Sequence, residues 1–148
     1  MSTQRAVMLL LALIGLAVGL VLWSGPVDED EQVRRVIRDI ASAAEDSNNH
    51  HILAHVHADY SDSAGLTKKS LQALLARQFL SHGPIVIAVG PIQVFREEEM
   101  AIASFDAVFV EGLEGLGLDG DARRFTVDLV LVDEEWLVIA SDNGEVFQ

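Results

Sequence analysis

The apolar residues of this chain change their spacing once, at Gly83-Pro84. Before that point they recur every three and four residues; after it they alternate. The first spacing lays side chains along one face of a helix, the second along one face of a strand. A chain divided in this way places all its helices ahead of all its strands. Such segregation predicts an α+β domain, with the helices packed on one face of an antiparallel sheet.

In the helical half, Val33, Val36, Ile37, Ile40, Ala41 and Ala44 form one stripe, which predicts a first helix over 28–46. The acids of Asp28–Glu31 sit in its first turn, where they complement the helix dipole. Arg34, Arg35 and Arg38 are expected on its solvent side. A short second helix is expected from about Asn49 to Val56, with Ile52, Leu53 and Val56 inward. The chain then extends or turns through His57–Gly65. Thr67 suits the N-cap of a third helix, with Leu66 and Leu71 as a hydrophobic staple. Leu71, Leu74, Leu75 and Phe79 continue its apolar face until Gly83-Pro84 ends it.

The alternating half predicts a sheet of about four strands. The first covers Ile85–Val89 and Ile92–Phe95, interrupted at Gly90-Pro91; proline cannot donate to a ladder, so a bulge, bend or edge belongs there. Met100–Glu111 is the second. In the third, Arg123–Val132, residues Phe125, Val127, Leu129 and Leu131 alternate with polar ones. The turn Asp133–Glu135 leads to the fourth, Trp136–Ala140, with Trp136 expected in the core.

Ahead of this domain, Ala6–Trp23 is a run of 18 residues without a charge. As a helix it would span ~27 Å, close to the ~30 Å hydrocarbon core of a bilayer. The expectation is one transmembrane helix. Residues 1–26 then form an N-terminal membrane anchor and short linker, and residues 27–148 form the domain. Arg5 precedes the run and Trp23 closes it. That favours a cytoplasmic N-terminus in the inner membrane, with the domain in the periplasm or outside. The alternative is a cleaved signal peptide and a secreted domain. It requires small residues before the cut, and neither Leu22-Trp23-Ser24 nor Trp23-Ser24-Gly25 fits well. Gly15 and Gly19 have the G-x-x-x-G spacing that lets two membrane helices approach, and so allow a homodimer.

Charge narrows the partners. From Val27 onward there are 9 Lys+Arg and 23 Asp+Glu, so the domain carries 9 − 23 = −14. Such a surface repels phosphate backbones and anionic lipid heads, and no nucleic acid is expected as a partner. The chain has no cysteine. Disulfides, a thiol nucleophile, thiolate zinc sites and a lipidated N-terminal cysteine are all excluded.

Chemistry-bearing residues gather in His50–Asp62, HHILAHVHADYSD, which holds four of the five histidines. His51 and His55 have the i, i+4 spacing of a zinc pair, but no H-E-x-x-H pattern or third ligand accompanies them, and no metal site is expected. His57, Asp59, Tyr60 and Asp62 could supply a base and a proton donor. They equally suit a capped turn with a core tyrosine. If there is a pocket, Tyr60 and Asp62 are expected nearest to it, with Phe79 on its apolar wall and His57 and Asp59 as second candidates. Gly112–Gly120 is no phosphate cradle, since it lacks lysine and carries Glu114 and Asp119. Its leucines, Leu113, Leu116 and Leu118, are expected to cap the domain's open end or meet a second subunit. Asp119-Gly120-Asp121 lacks the remaining ligands of a calcium loop, and no G-x-S-x-G occurs. No cofactor is expected.

The order of elements resembles the nuclear transport factor 2-like superfamily, which includes the SnoaL-like proteins. The matching stretches are the stripe from Val33 to Ala44, the ADYSDSAGL turn at Ala58–Leu66 and the LQALLARQFL helix that follows. The fourth is RFTVDLVLVDEEWLVI at Arg124–Ile139. The resemblance covers about Val27–Ala140 and leaves the apolar run outside it. It implies a cone: three N-terminal helices packed on a strongly curved antiparallel sheet, a cystatin-like fold. Members of the superfamily include isomerases, dehydratases and hydrolases, some with an aspartate base and a tyrosine donor inside the cone. The same fold serves many functions. Two expectations follow. One is a membrane-tethered extracytoplasmic binding or assembly module whose cone holds a small apolar ligand or a partner segment. The other is a small-molecule isomerase, dehydratase or hydrolase using a pocket aspartate and Tyr60.

Overall fold

The computed structural model describes residues 28–111 and 122–142. The first helix, α1 (Glu29–Glu45), starts where Asp28 caps it, its carboxylate accepting from the Asp30 N–H at 3.2 Å. Of its stripe, Val33, Val36, Ile37 and Ala44 are buried and Ile40 and Ala41 half-buried; Ala43, beside the stripe, is buried as well. Arg34 departs from the expected solvent side: its Nε donates to the Ile92 carbonyl at 3.0 Å and ties α1 to the sheet. The short α2 (Asn49–Ala54) is capped by the Asn48 side chain, which accepts from the His51 N–H.

The second helix was expected to run to Val56, but the chain leaves it at His55 and becomes a strand, β1 (Val56–Asp62). β-Branched Val56 and aromatic Tyr60 suit a half-buried strand, and both are buried. Helix α3 (Lys68–His82) begins at Thr67 as expected. The Thr67 side chain accepts from the Ser70 N–H, and Ser70 Oγ accepts from the Thr67 N–H at 2.7 Å. At Gly83 the φ of 77° is left-handed, which glycine adopts without strain, and the helix stops.

Five further strands follow: β2 (Val86–Val89), β3 (Gln93–Glu97), β4 (Met100–Glu111), β5 (Ala122–Val132) and β6 (Glu135–Asp142). The described residues thus contain six strands, not about four. Two observations account for the difference. The interrupted first strand is two strands, β2 and β3, which follow each other along the same edge of β4. Between them Gly90 donates its N–H to the Asp106 carbonyl at 2.8 Å, and a Cβ on Gly90 would stand 3.2 Å from that oxygen. The other addition is β1, which joins the opposite edge of the sheet beside β6. That pairing is parallel, so the sheet is mixed rather than antiparallel throughout.

The order across the sheet is β1-β6-β5-β4, with β2 and β3 on the last edge. Its inner face curls against the helices. Val33, Leu129 and Trp136 lie in one buried cluster, and Ala43, Ala44, Ile52, Ile85 and Phe109 form a second. Trp136, 3% exposed, is a core residue as expected.

One irregularity decides which side chains face inward. Asp128 pairs with Ala140 and Leu129 with Val138, which leaves Ile139 as an extra residue on β6. This bulge inverts the alternation beyond it. Trp136 and Val138 point inward before the bulge. After it Ser141, opposite buried Val127, does so in place of Ala140.

Among the described residues no helix is long and apolar enough to cross a membrane. The run Ala6–Trp23, its Gly15 and Gly19, the residues expected to link it to the domain and the stretch Gly112–Gly120 lie outside the described residues.

Candidate functional site

Between the helices and the inner face of the sheet lies a cavity of about 250 Å³. Ile37, Ile40 and Ala41 of α1 form one wall, and Leu71 and Leu75 of α3 another. The sheet contributes Phe105 from β4 and Phe125 and Val127 from β5. The Phe105 and Phe125 rings stack, with centroids 5.7 Å apart and planes at 15°, and Phe109 meets Phe125 edge-on at 5.9 Å. Offset rings of this kind present a flat apolar surface.

The wall includes two polar side chains, Tyr60 and Ser141, and no carboxylate or imidazole among the described residues. The Tyr60 hydroxyl and Ser141 Oγ are 2.7 Å apart in a hydrogen bond. Two hydroxyls that share one hydrogen bond retain one hydrogen to donate and free lone pairs to accept. Burial pushes the Tyr60 phenol above its ordinary value of 10.0; the bond from Ser141 opposes this, and the nearby Asp62 charge adds to it. The phenol is therefore a neutral donor throughout the physiological range.

The other sequence candidates lie elsewhere. The Asp62 carboxylate accepts from the Ala64 N–H at 2.9 Å and the Leu66 N–H at 2.7 Å, so it caps the turn into α3. It borders a separate polar hollow with Ser61, Thr126, Asp128 and Asp142. Phe79 packs half-buried beside the second core cluster and is not on the cavity wall. His57 accepts the Asp59 N–H on Nδ1 at 3.0 Å, a local bond within β1, and Asp59 is exposed. The His51 and His55 rings meet edge to face at 5.2 Å. Among the described residues no three metal-binding side chains converge. His55 is held below its ordinary 6.5, first by burial and then by the His51 charge, against the attraction of Asp39 and Glu135.

Tyr60 is thus the sequence candidate that reaches the cavity. Its partner Ser141 carried no signal in the sequence, because strict alternation from Trp136 turns it outward. Phe125 and Val127 were legible as inner-face residues of β5, although not as a ligand wall.

No family model matches the chain, and no curated protein does. Solved structures do. An NTF2-like protein with a cystatin-like fold from Novosphingobium aromaticivorans superposes with a TM-score of 0.63 at 19% identity, over 89% of this chain and 88% of that one. A protein of unknown function from Pseudomonas putida, also NTF2-like, gives 0.66 at 19% identity, over 81% and 88%. The fold is the cystatin-like cone. A candidate scytalone dehydratase from N. aromaticivorans shares this cone with a TM-score of 0.68 at 12% identity, over 81% of this chain and 85% of its own. At such identities the likeness is one of fold. In this chain the cone is built by α1, α3 and the curled sheet, and the Tyr60–Ser141 pair is set into its wall.

Proposed function

We propose that this cone is a binding module for a small, uncharged, largely apolar molecule, tethered to a membrane by residues 6–23 with the domain on the extracytoplasmic side. One observation carries the binding reading: an apolar cavity of about 250 Å³ with a single hydroxyl pair in its wall. Pockets that hold small ligands combine mostly apolar walls with a few placed polar groups. Here the stacked Phe105 and Phe125 favour a flat ligand, and the Tyr60–Ser141 pair accommodates one carbonyl or hydroxyl. A charged group would be left unpaired in this wall, at high desolvation cost. Acid–base chemistry of the dehydratase type has less support. It requires a base at the ligand, and the Asp62 carboxylate is engaged by backbone N–H groups outside the cavity.

The test uses the purified full chain, extracted and analysed for bound small molecules by mass spectrometry. Ala41→Leu fills the cavity from α1 with a good helix former. The expected result is a species bound to the wild-type chain, depleted in Ala41→Leu and reduced in the Tyr60→Phe, Ser141→Ala double variant. Identical contents in all three would reject the binding reading.

A further inference from the structure

The short helix α2 carries a pair of histidines that the binding reading leaves unused. His51 and His55 lie one turn apart, and their rings meet edge to face at 5.2 Å. His55 is half-buried, and its Nε2 is shut off from solvent with no hydrogen-bond partner. A neutral imidazole is tolerated in such a place. An imidazolium donates from both nitrogens, and one N–H would then be buried without an acceptor.

The pair and the cavity share this helix. Ile52, which follows His51, lies in the cavity wall, as does Val56, which follows His55. Ile52 is also buried in the second core cluster, with Ala44, Ile85 and Phe109. The Asn48 side chain caps the start of α2, and the Val138 N–H bonds the His55 carbonyl at its end. Six residues are too few to form a helix by propensity, so α2 depends on such ties and on the burial of Ile52.

Charge acts on His55 from three elements. His51, on α2 itself, disfavours a proton there, while Asp39 on α1 and Glu135 on β6 favour one. Burial acts with His51 and outweighs the two carboxylates, so His55 stays neutral to a lower pH than an ordinary histidine. Once acid charges both rings, two like charges stand one helical turn apart.

We infer that acid opens the cavity at α2: a protonated His55 turns out toward water, α2 moves with it, Ile52 leaves the wall and the occupant is released. This rests on the binding reading above, whose cavity it regulates. Linkage fixes the sign. The closed form takes up the proton less readily than the open one, so occupant and proton oppose each other. With one proton involved, affinity falls by at most about tenfold per pH unit, beginning below the ordinary histidine value of 6.5.

Two measurements on the full chain in phosphatidylcholine nanodiscs test this. The first follows hydrogen exchange with nothing added. The Ile52 N–H bonds the Asn48 carbonyl, and the His55 N–H bonds the Ile52 carbonyl. Protection of these two amides should fall about tenfold from pH 7 to pH 5, and that of Val36 in α1 should fall less. The second titrates 2-naphthol, a flat uncharged probe with one hydroxyl, by calorimetry against empty discs. It should bind at pH 7 and weaken about tenfold toward pH 5. His55→Gln should remove both pH dependences. His51→Gln, at an exposed position, removes the repulsion and should reduce both. Constant protection of α2 in the wild-type chain overturns the switch, and so do pH dependences that persist in full in both variants. If α2 opens in acid but 2-naphthol does not bind at pH 7, the binding reading fails instead, and the release with it.

Discussion

Two side chains, one half-buried and one buried, show how local environment sets residue-scale behaviour. His55 sits at the C-cap of α2, and burial with the neighbouring His51 charge depresses its pKa below 6.5. A depressed pKa means that the unfolded chain binds the proton more readily than the folded one. The His55 contribution to stability is therefore complete above the unfolded value and lost as pH falls through the folded one. Melting temperature should decline from pH 7 toward pH 5, and His55→Gln should make that decline shallower; equal slopes would show that His55 is not responsible. Trp136 is the larger energetic matter. Its ring is almost wholly buried in the cluster with Val33 and Leu129. Truncation to alanine removes its apolar contacts and leaves a cavity, at a cost of about 3–5 kcal/mol. Chemical denaturation should show a loss of that size, and a change below ~1 kcal/mol would remove Trp136 from the core.

Elements owe their limits to a few polar side chains. Thr67 and Ser70 satisfy each other's backbone N–H groups at the start of α3. The helix depends on that start, because most of its apolar face is only half-buried and Leu80 is open to solvent. Thr67→Ala should cost about 1 kcal/mol, within the range for lost N-caps, and Thr67→Ser should restore most of it. Denaturation midpoints of the two variants check this. This cap was legible because capping is written in adjacent residues. The end of α2 was not. Val56 fits a helical stripe as well as it fits a strand, and the strand wins because β6 supplies a partner: the Val138 N–H bonds the His55 carbonyl at 2.8 Å. Local spacing records the preference of a segment, not the neighbour that overrides it.

At the scale of the whole molecule, the proposed tether predicts that the full chain stays in the membrane pellet after alkaline carbonate washing. It also predicts that external protease removes the domain from intact spheroplasts. Release by carbonate, or a mature N-terminus beyond Trp23, would reject it. The hydrophobic periods of the chain, by themselves, determined the α+β class, the three helices, the extents of β4 and β5 and the burial of Trp136. Each of these follows from side chains a few residues apart, which the backbone geometry of helix or strand places on one face. Tertiary structure alone decided the parallel partnership of β1 with β6 and the division of the first strand into β2 and β3. It also decided the bulge at Ile139 that turns Ser141 toward Tyr60, residues 81 positions apart in the chain. Pairing between distant strands is settled by which edges meet once the sheet curls around α1. A single extra residue in one strand then reverses every side chain beyond it.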